Sequence, residues 1–382
     1  MPSTPLAPFP FISVSGSPLE RGRAYGAAAK DRVQRSISIY GDQLTDLGFS
    51  PDAASALIQD FIPGITAFGA HYLEEMQGIA EGAGVALEQI VLINARTEVV
   101  AKARVIAGVP EDDETDDITK KDGCTGVVVL PEQAASGRLI HAQNWDWRAE
   151  CAETAVVLRV QRDDGPDFMT FVEAGGLARC GMNAAGIAIT ANYLESDRDY
   201  TQSGVPLALI RRKVLEQTHL AFAMKAVATT AKACSNNMIV SHAEGFAIDF
   251  ECAPDETFPL YPDNGLIVHA NHWQSPVALS KLKDTGIPSV PESFYRDWRV
   301  RRLLESRPGP LSTDDVKAAL FDTFGTPHAV CRPPRPGSSG NLSATVAMIV
   351  MDPAIGQMEV APLPALNQTF TRYSFTADPV TA

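Results

Sequence analysis

Gly123-Cys124-Thr125 is followed, twenty residues beyond the cysteine, by Asn144-Trp145-Asp146-Trp147. A cysteine sulfur placed after glycine can attack the preceding carbonyl, because Gly123 has no Cβ and tolerates unusual dihedral angles. The resulting N-to-S acyl shift gives a thioester, and water then divides the chain between Gly123 and Cys124. The freed α-amino group, with an ordinary pKa of about 7.7–8, is suited to take the thiol proton near neutrality. One residue would thus supply nucleophile and base. The chemistry still needs an oxyanion hole, typically an asparagine amide with backbone N–H groups, and a carboxylate to orient the amine. The competing reading is plain: Cys124 is one of six cysteines, packed as a small apolar side chain.

The elements around this junction change character. Up to about residue 105 the periodicity is helical. Ser17-Pro18-Leu19-Glu20 reads as a capping box with proline at the first helical position, opening a helix toward Leu47. Pro51 to Gly84 carries a buried stripe of Ile58, Phe61, Ile65, Phe68, Tyr72 and Met76, and Leu87 to Val100 reads as a further helix. Glu111 to Asp117 holds six acidic residues in seven positions, followed by Lys120-Lys121. Such a charge run reads as a solvated loop ahead of Cys124.

From Cys124 onward strands dominate: Thr125–Leu130, Leu139–Gln143, Thr154–Val160, Phe168–Val172, Gly186–Asn192, Met238–Ser241, Phe246–Phe250, Ala344–Met351 and Met358–Ala361. Helices are expected at Pro206–Gln217, Ala221–Ala231, Tyr295–Glu305 and Ser312–Asp322. The order predicts an α+β arrangement of stacked sheets flanked by helices. Pro333 to Gly340 is a Pro/Gly/Ser loop, and no internal repeat is visible.

Composition narrows the function. The chain has 382 residues, 45% of them hydrophobic, enough for a large core. Its formal charge of −14 would repel a phosphate backbone, which argues against a nucleic-acid partner. The cysteines (Cys124, Cys151, Cys180, Cys234, Cys252, Cys331) form no CxxC pair, and the seven histidines show no HxxxH spacing. Neither a metal site nor a disulfide framework is expected, and no cofactor is implied. The sequence shows no signal peptide, membrane-length apolar run or peroxisomal tripeptide, so no membrane association and a cytoplasmic location are expected.

With these residues in view, the chain resembles the isopenicillin N acyltransferase (acyl-CoA:6-aminopenicillanate acyltransferase) family of self-processing cysteine N-terminal nucleophile (Ntn) hydrolases. The likeness is collinear. It runs through Arg96-Thr97-Glu98, Asp122-Gly123-Cys124-Thr125, Gln143-Asn144-Trp145-Asp146, Glu173-Ala174-Gly175 and Gly181-Met182-Asn183-Ala184-Ala185-Gly186-Ile187. It continues through Gly204-Val205-Pro206, Asn271-His272, Ser293, Arg296, Arg299, Cys331-Arg332 and Ala344-Thr345.

The resemblance implies a four-layer αββα sandwich, two stacked antiparallel sheets flanked by helices. It implies self-cleavage between Gly123 and Cys124 into an α chain, 1–123, and a β chain, 124–382, that stay associated as one structural domain. By the same resemblance Cys124 is the nucleophile, Asp146 the carboxylate that orients the new amine and Asn271 the oxyanion amide. His272 reads as structural. Arg332, whose fork could meet a substrate carboxylate, and Asn192 are the candidate substrate contacts. Gly181 and Gly186 bracket a turn between strands, and Arg96 with Glu98 reads as a buried structural pair. The expected activity is hydrolysis of a small N-acyl amide through a cysteine acyl-enzyme, with transfer of the acyl group to an amine as the alternative. Association of αβ units into a homo-oligomer is compatible with this reading.

Two departures bear on the substrate. The fungal penicillin-forming members carry a Ser-Arg pair just before the Ala-Thr strand, where this chain has Asn341-Leu342 ahead of Ser343. The peroxisomal tail is also missing, and both differences argue against penicillin synthesis and acyl-CoA use. Penicillin V acylases and bile-salt hydrolases share the cysteine chemistry, but their cysteine lies close to the start of the precursor. A non-catalytic binding protein of the same fold is a further rival, disfavoured by the presence of nucleophile, carboxylate and asparagine together.

Overall fold

A computed structural model describes residues 6–109, 123–336 and 342–381. The acidic run Glu111–Asp117, Lys120-Lys121, Asp122 and the end of the Pro333–Gly340 loop lie outside the described residues.

One short strand, β1 (Phe11–Val14), precedes seven helices: α1 (Pro18–Ala28), α2 (Lys30–Asp46), α3 (Pro51–Gln59), α4 (Ile62–Phe68), α5 (Ala70–Ala83), α6 (Leu87–Asn94) and α7 (Arg96–Ala107). The Ser17/Glu20 capping box forms, with Ser17 N–H donating to Glu20 Oε2 at 3.0 Å. The expected long helices are interrupted at Ala29, Gly69 and Ala95, where the chain leaves helical geometry, and α3 gives way to α4 at Asp60 and Phe61, both still in the right-handed helical region. Ile58, Ile65, Tyr72 and Met76 of the predicted stripe are fully buried, and Phe61 and Phe68 pack against the same core. Helices α1 and α5 meet almost backbone to backbone. A Cβ on Gly22 would lie 2.2 Å from the Glu75 carbonyl oxygen, and one on Gly78 would lie 2.3 Å from that of Leu19.

The rest of the chain supplies β2 (Gly123–Val129), β3 (Ile140–Arg148), β4 (Ala155–Val160), β5 (Phe168–Glu173), β6 (Cys180–Asn183), β7 (Ile187–Tyr193), β8 (Asn236–His242) and β9 (Phe246–Cys252). These are followed by β10 (Thr257–Leu260), β11 (Leu266–His269), β12 (Arg335–Pro336), β13 (Leu342–Asp352), β14 (Gln357–Pro362), β15 (Thr371–Ser374) and β16 (Val380–Thr381). Five helices are interspersed: α8 (Leu207–Leu215), α9 (Leu220–Thr229), α10 (Pro276–Leu279), α11 (Ser293–Glu305) and α12 (Thr313–Leu320).

The strands form two eight-stranded sheets. The first runs β1-β4-β5-β6-β7-β8-β9-β10, and the second runs β11-β2-β3-β13-β14-β15-β16 with β12 beside β13. All pairings are antiparallel except β1 with β4. The sheets face one another through β2, β3 and β7. Helices α2, α8 and α9 cover the outer face of the first sheet, and α11 and α12 that of the second. This is the four-layer αββα sandwich, an α+β fold. Strands covered on both faces need not alternate, which explains the unbroken run Val127-Val128-Val129 in β2, every residue of it buried.

Side-chain direction in the second sheet decides everything at the site. Gln143 reaches the first sheet, donating to the Ala191 carbonyl at 2.7 Å, whereas Asn144 donates to the Leu320 and Val330 carbonyls of the outer layer. By alternation along β3, Trp145 faces inward and Asp146 outward. The register pairs Cys124 with Trp145 and Gly123 with Asp146. The nucleophile candidate therefore looks toward the first sheet, and the carboxylate candidate toward the helices behind the second.

Candidate active site

Cys124 sits at the start of β2, fully buried. Its backbone N–H donates to Asn271 Oδ1 at 2.9 Å, and its carbonyl accepts from Arg296 Nη1 at 2.7 Å. On the inward side Arg179 Nη2 approaches Sγ at 3.8 Å, and the Arg179 guanidinium lies 3.9 Å over the Trp145 ring.

Asp146 occupies the strand position opposite Gly123. A Cβ on residue 123 would lie 2.9 Å from Asp146 Cβ and 3.1 Å from its Oδ2, so only glycine allows this approach. Thr345 Oγ1 donates to Asp146 Oδ1 at 2.6 Å. Thr345 reaches it because β13 bulges between Thr345 and Ala347, opposite Asp146 and Trp145. Arg332 Nε stands 3.2 Å from Asp146 Oδ2 as an ion pair, and its Nη2 donates to Glu292 Oε1 at 2.8 Å. That contact is poorly aligned, so Asp146 Oδ2 has no hydrogen-bond donor among the described residues.

Asn271 lies just past β11, in the segment that leads to α10. Its N–H donates to Ser293 Oγ at 2.7 Å, its Nδ2 to the Tyr193 carbonyl at 2.9 Å, and its Oδ1 also accepts from Arg296 Nη2 at 2.8 Å. Ser293 opens α11 and Arg296 follows one turn on, so a single helix end fixes the asparagine. Burial lowers Arg296 to about 10, with Arg332 adding to the effect, and it stays charged at neutral pH. His272 Nδ1 meets Ser293 Oγ at 2.7 Å. Burial, then the neighbouring charges of His269 and Arg296, lowers His272 to about 3. The ring is therefore neutral at neutral pH.

The open space near this cluster is a cavity of about 360 Å³ whose wall includes Tyr40, Arg96, Trp147, Tyr193, Glu195 and Tyr200. A smaller cavity of about 50 Å³ shares Arg96, Thr97 and Tyr193 with it and includes Arg179. Trp147 shares the inward face of β3 with Trp145, and Tyr193 carries the carbonyl that holds Asn271. The cavity thus abuts the cysteine side of the second sheet. Its wall comes from α2, α7 and the residues just after it, Trp147 of β3 and residues 193–200.

The profile of the acyl-coenzyme A:6-aminopenicillanic acid acyl-transferase family matches residues 133–361. The chain belongs to this family. The 40 kDa form of acyl-coenzyme A:6-aminopenicillanic-acid-acyltransferase from Emericella nidulans is 28% identical over 346 residues, 89% of each chain. Among solved structures, a variant of the conjugated bile acid hydrolase from Clostridium perfringens aligns with a TM-score of 0.49 at 11% identity, over 68% of this chain and 96% of that one. Penicillin V acylase from Agrobacterium tumefaciens aligns at 0.44 and 16% identity, over 66% and 86%.

In this acyl-transferase family member, Asp146, Arg179, Asn271, Arg296 and Arg332 fall within the matched span, and Gly123 and Cys124 precede it. The structure gathers Gly123, Cys124, Asp146, Asn271 and Arg332 into one cluster. Arg332 is 3% exposed and engaged with Asp146 and Glu292 on the outward face, away from the cavity. Asn192 lies apart from the cluster, between the sheets. It accepts from Gln143 at 2.8 Å and donates to the His269 carbonyl at 2.8 Å.

Arg96 and Glu98 do not pair as expected. Arg96 lies between the Tyr40 and Trp147 rings, 3.6 Å from Glu173, and Glu98 accepts the Leu207 amide at 2.9 Å. Gly186 takes a positive φ in the β6–β7 turn, whereas Gly181 is required by the closeness of β5. Arg179 carries no motif of its own. Its only sequence signal is a cationic residue just before the Gly181–Gly186 turn. No group of residues suited to a metal ion occurs among the described residues, and no described helix is long and apolar enough to cross a membrane.

Proposed function

We propose that this family member is a self-processing cysteine amidohydrolase that cuts itself between Gly123 and Cys124 and then cleaves a small N-acyl amide. Cys124 Sγ attacks the Gly123 carbonyl carbon. The S–C bond forms, the C–N bond breaks, and the departing nitrogen takes up a proton. Water hydrolyses the thioester, leaving a Gly123 carboxylate and a Cys124 with a free amine. In turnover the same sulfur takes the substrate's acyl group, expels its amine and passes the acyl group to water. Asn271 serves the oxyanion, and Asp146 receives the new ammonium.

The observation that carries this reading is the environment of one peptide bond. The Cys124 amide is gripped by Asn271, while a buried carboxylate oxygen with no aligned donor stands against Gly123. Cleavage would create an ammonium beside that oxygen. The adjoining cavity is the proposed substrate entry, and its aromatic wall suits an organic acyl or amine group.

Intact-mass measurement on the purified protein and on Cys124→Ala tests the first step. A wild type that remains one full-length chain refutes self-processing. The second reading, acyl transfer, is favoured by the names of the family and of its Emericella nidulans relative. Partition of the acyl group between water and an added amine decides it: capture mostly by the amine makes the protein a transferase.

A further inference from the structure

We propose that Arg179 is a catalytic residue that holds the Cys124 sulfur as a thiolate, in the uncut chain as well as after processing. The inference rests on Cys124 being the nucleophile and adds the origin of its charge.

The need arises from the order of events. The α-amino group can serve as base only once it exists, and before cleavage the nitrogen of Cys124 is an amide that donates to Asn271. It has no basic lone pair, so the first attack on Gly123 requires another source of ionised sulfur. A guanidinium is charged at every relevant pH and acts by its field, without exchanging the proton. The thiol proton passes to solvent, the sulfur attacks, and the departing nitrogen regains a proton, so the step balances.

Arg179 reaches the sulfur on its own side of the sheet, with Nη2 3.8 Å from Sγ. Its placement is built into the register. Trp145 pairs across the ladder with Cys124, and the Trp145 ring is the platform on which the guanidinium rests at 3.9 Å. That ring is braced edge-on by Phe171, which packs edge-on against Phe9. The Arg179 N–H is held by Thr170 Oγ1 at 3.3 Å. Nucleophile and cation are thus fixed to one aromatic post.

Among the described residues, the other charges nearest Cys124 are directed elsewhere. Arg296 of α11 directs its N–H groups at oxygens, those of Cys124, Thr125 and Asn271. Asp146 of β3, with Arg332 and Glu292, lies on the outward face as a mixed cluster. On the inward face Arg96 of α7 pairs with Glu173 of β5, and Glu98 and Arg211 border the same small cavity as Arg179. A cysteine beside a fixed cation ionises below its usual ~8.5.

The test titrates thiolate ultraviolet absorbance against pH in the wild type, Arg179→Lys and Arg179→Gln, each referenced to the same protein carrying Cys124→Ala. Self-cleavage is followed in parallel by intact mass. Arg179→Gln should raise the midpoint by about one pH unit or more and slow cleavage at neutral pH ~10-fold, with the rate recovering at higher pH. Arg179→Lys keeps the charge and should shift the midpoint less. Coincident midpoints in folded proteins overturn the proposal, as does a cleavage defect in Arg179→Gln that high pH does not repair. If Arg179→Gln does not fold, Arg179→Met, which also removes the charge, is titrated in its place, and a midpoint there coincident with the wild type is the negative result. A wild type that never cuts would refute self-processing while leaving the titration readable, so the two failures are distinct.

Discussion

The amide of Cys124 and the guanidinium of Arg296 converge on the same oxygen, Asn271 Oδ1, at 2.9 and 2.8 Å. The asparagine side chain is thereby locked with its Nδ2 toward Tyr193 and the cavity. Asn271→Ala removes this grip and the proposed oxyanion donor together. Self-cleavage and turnover should each fall by ~10²–10³-fold, the usual cost of one oxyanion donor. Intact-mass time courses and steady-state kinetics on the same preparation measure both, and rates within a few-fold of wild type would exclude the role.

Thr345 is the hinge of the carboxylate side. Its hydroxyl donates to Asp146 and accepts the Arg332 amide at 2.7 Å. Thr345→Val keeps the shape and the strand preference but leaves a buried acceptor and a buried donor short, at about 1–3 kcal/mol. The expected outcome is a lower thermal midpoint and self-cleavage slowed roughly 10-fold. Unaltered cleavage kinetics would show that the orientation of Asp146 does not matter.

Stability should fall as pH rises from about 7 to about 9. Burial disfavours the charge of His269, but Asp249 and Glu251 outweigh it and raise the residue from 6.5 to about 9. Burial pushes Asp249 from 3.8 up to about 7 despite His269. Both bind a proton more tightly folded than unfolded, so the stability they give is complete below the ordinary values. It is lost as pH climbs through about 7 for Asp249 and about 9 for His269. His141 and His272, lowered from 6.5 to about 3 chiefly by burial, act oppositely and penalise the fold as pH drops below 6.5. Thermal unfolding across this range checks the sign. His269→Gln should flatten the alkaline fall, and a wild-type midpoint that rises between pH 7 and 9 contradicts the assignment.

Glu75 should be the most sensitive charged position outside the site. It accepts Arg212 through both oxygens at 2.9 and 2.7 Å and Arg21 at 2.7 Å, with all three side chains buried. Glu75→Gln strands the Arg21 guanidinium and leaves Arg212 with Glu216 alone, and breaking such a buried pair costs about 3–5 kcal/mol. Denaturant unfolding should show a loss of that size, and a change under 1 kcal/mol would mean that the cluster relaxes around the vacancy.

The nine strands expected from sequence are all present, because runs such as Val127-Val128-Val129 and Ala344–Met351 have no other use than burial between layers. The strands that escaped notice are short or compromised. Gly181 interrupts β6, β1 lies in a proline-rich opening, and β11 has four residues. Strand β3 runs on to Arg148, beyond the expected Gln143, since Trp145 and Trp147 are buried by the opposing sheet and by Arg96 and Arg179, partners far away in sequence. The same distance hides the company that Arg332 and Asp146 keep with Glu292 and Thr345. Helix breaks at Ala29 and Ala95 carry no glycine or proline to announce them. The glycines Gly22 and Gly78, by contrast, mark the α1–α5 contact only after the two helices are seen together.

Strand β1 hydrogen-bonds in parallel to β4, so residues from before Gly123 complete the rim of a sheet made otherwise from residues after it. A break at Gly123–Cys124 would then be a nick in an interlocked body. The shorter piece could not diffuse away as an inhibitor does, nor be exchanged between molecules without tearing out a strand. Maturation would be a first-order event, timed by each molecule's own folding and indifferent to protein concentration. The two-chain product would carry its one-to-one stoichiometry from the ribosome.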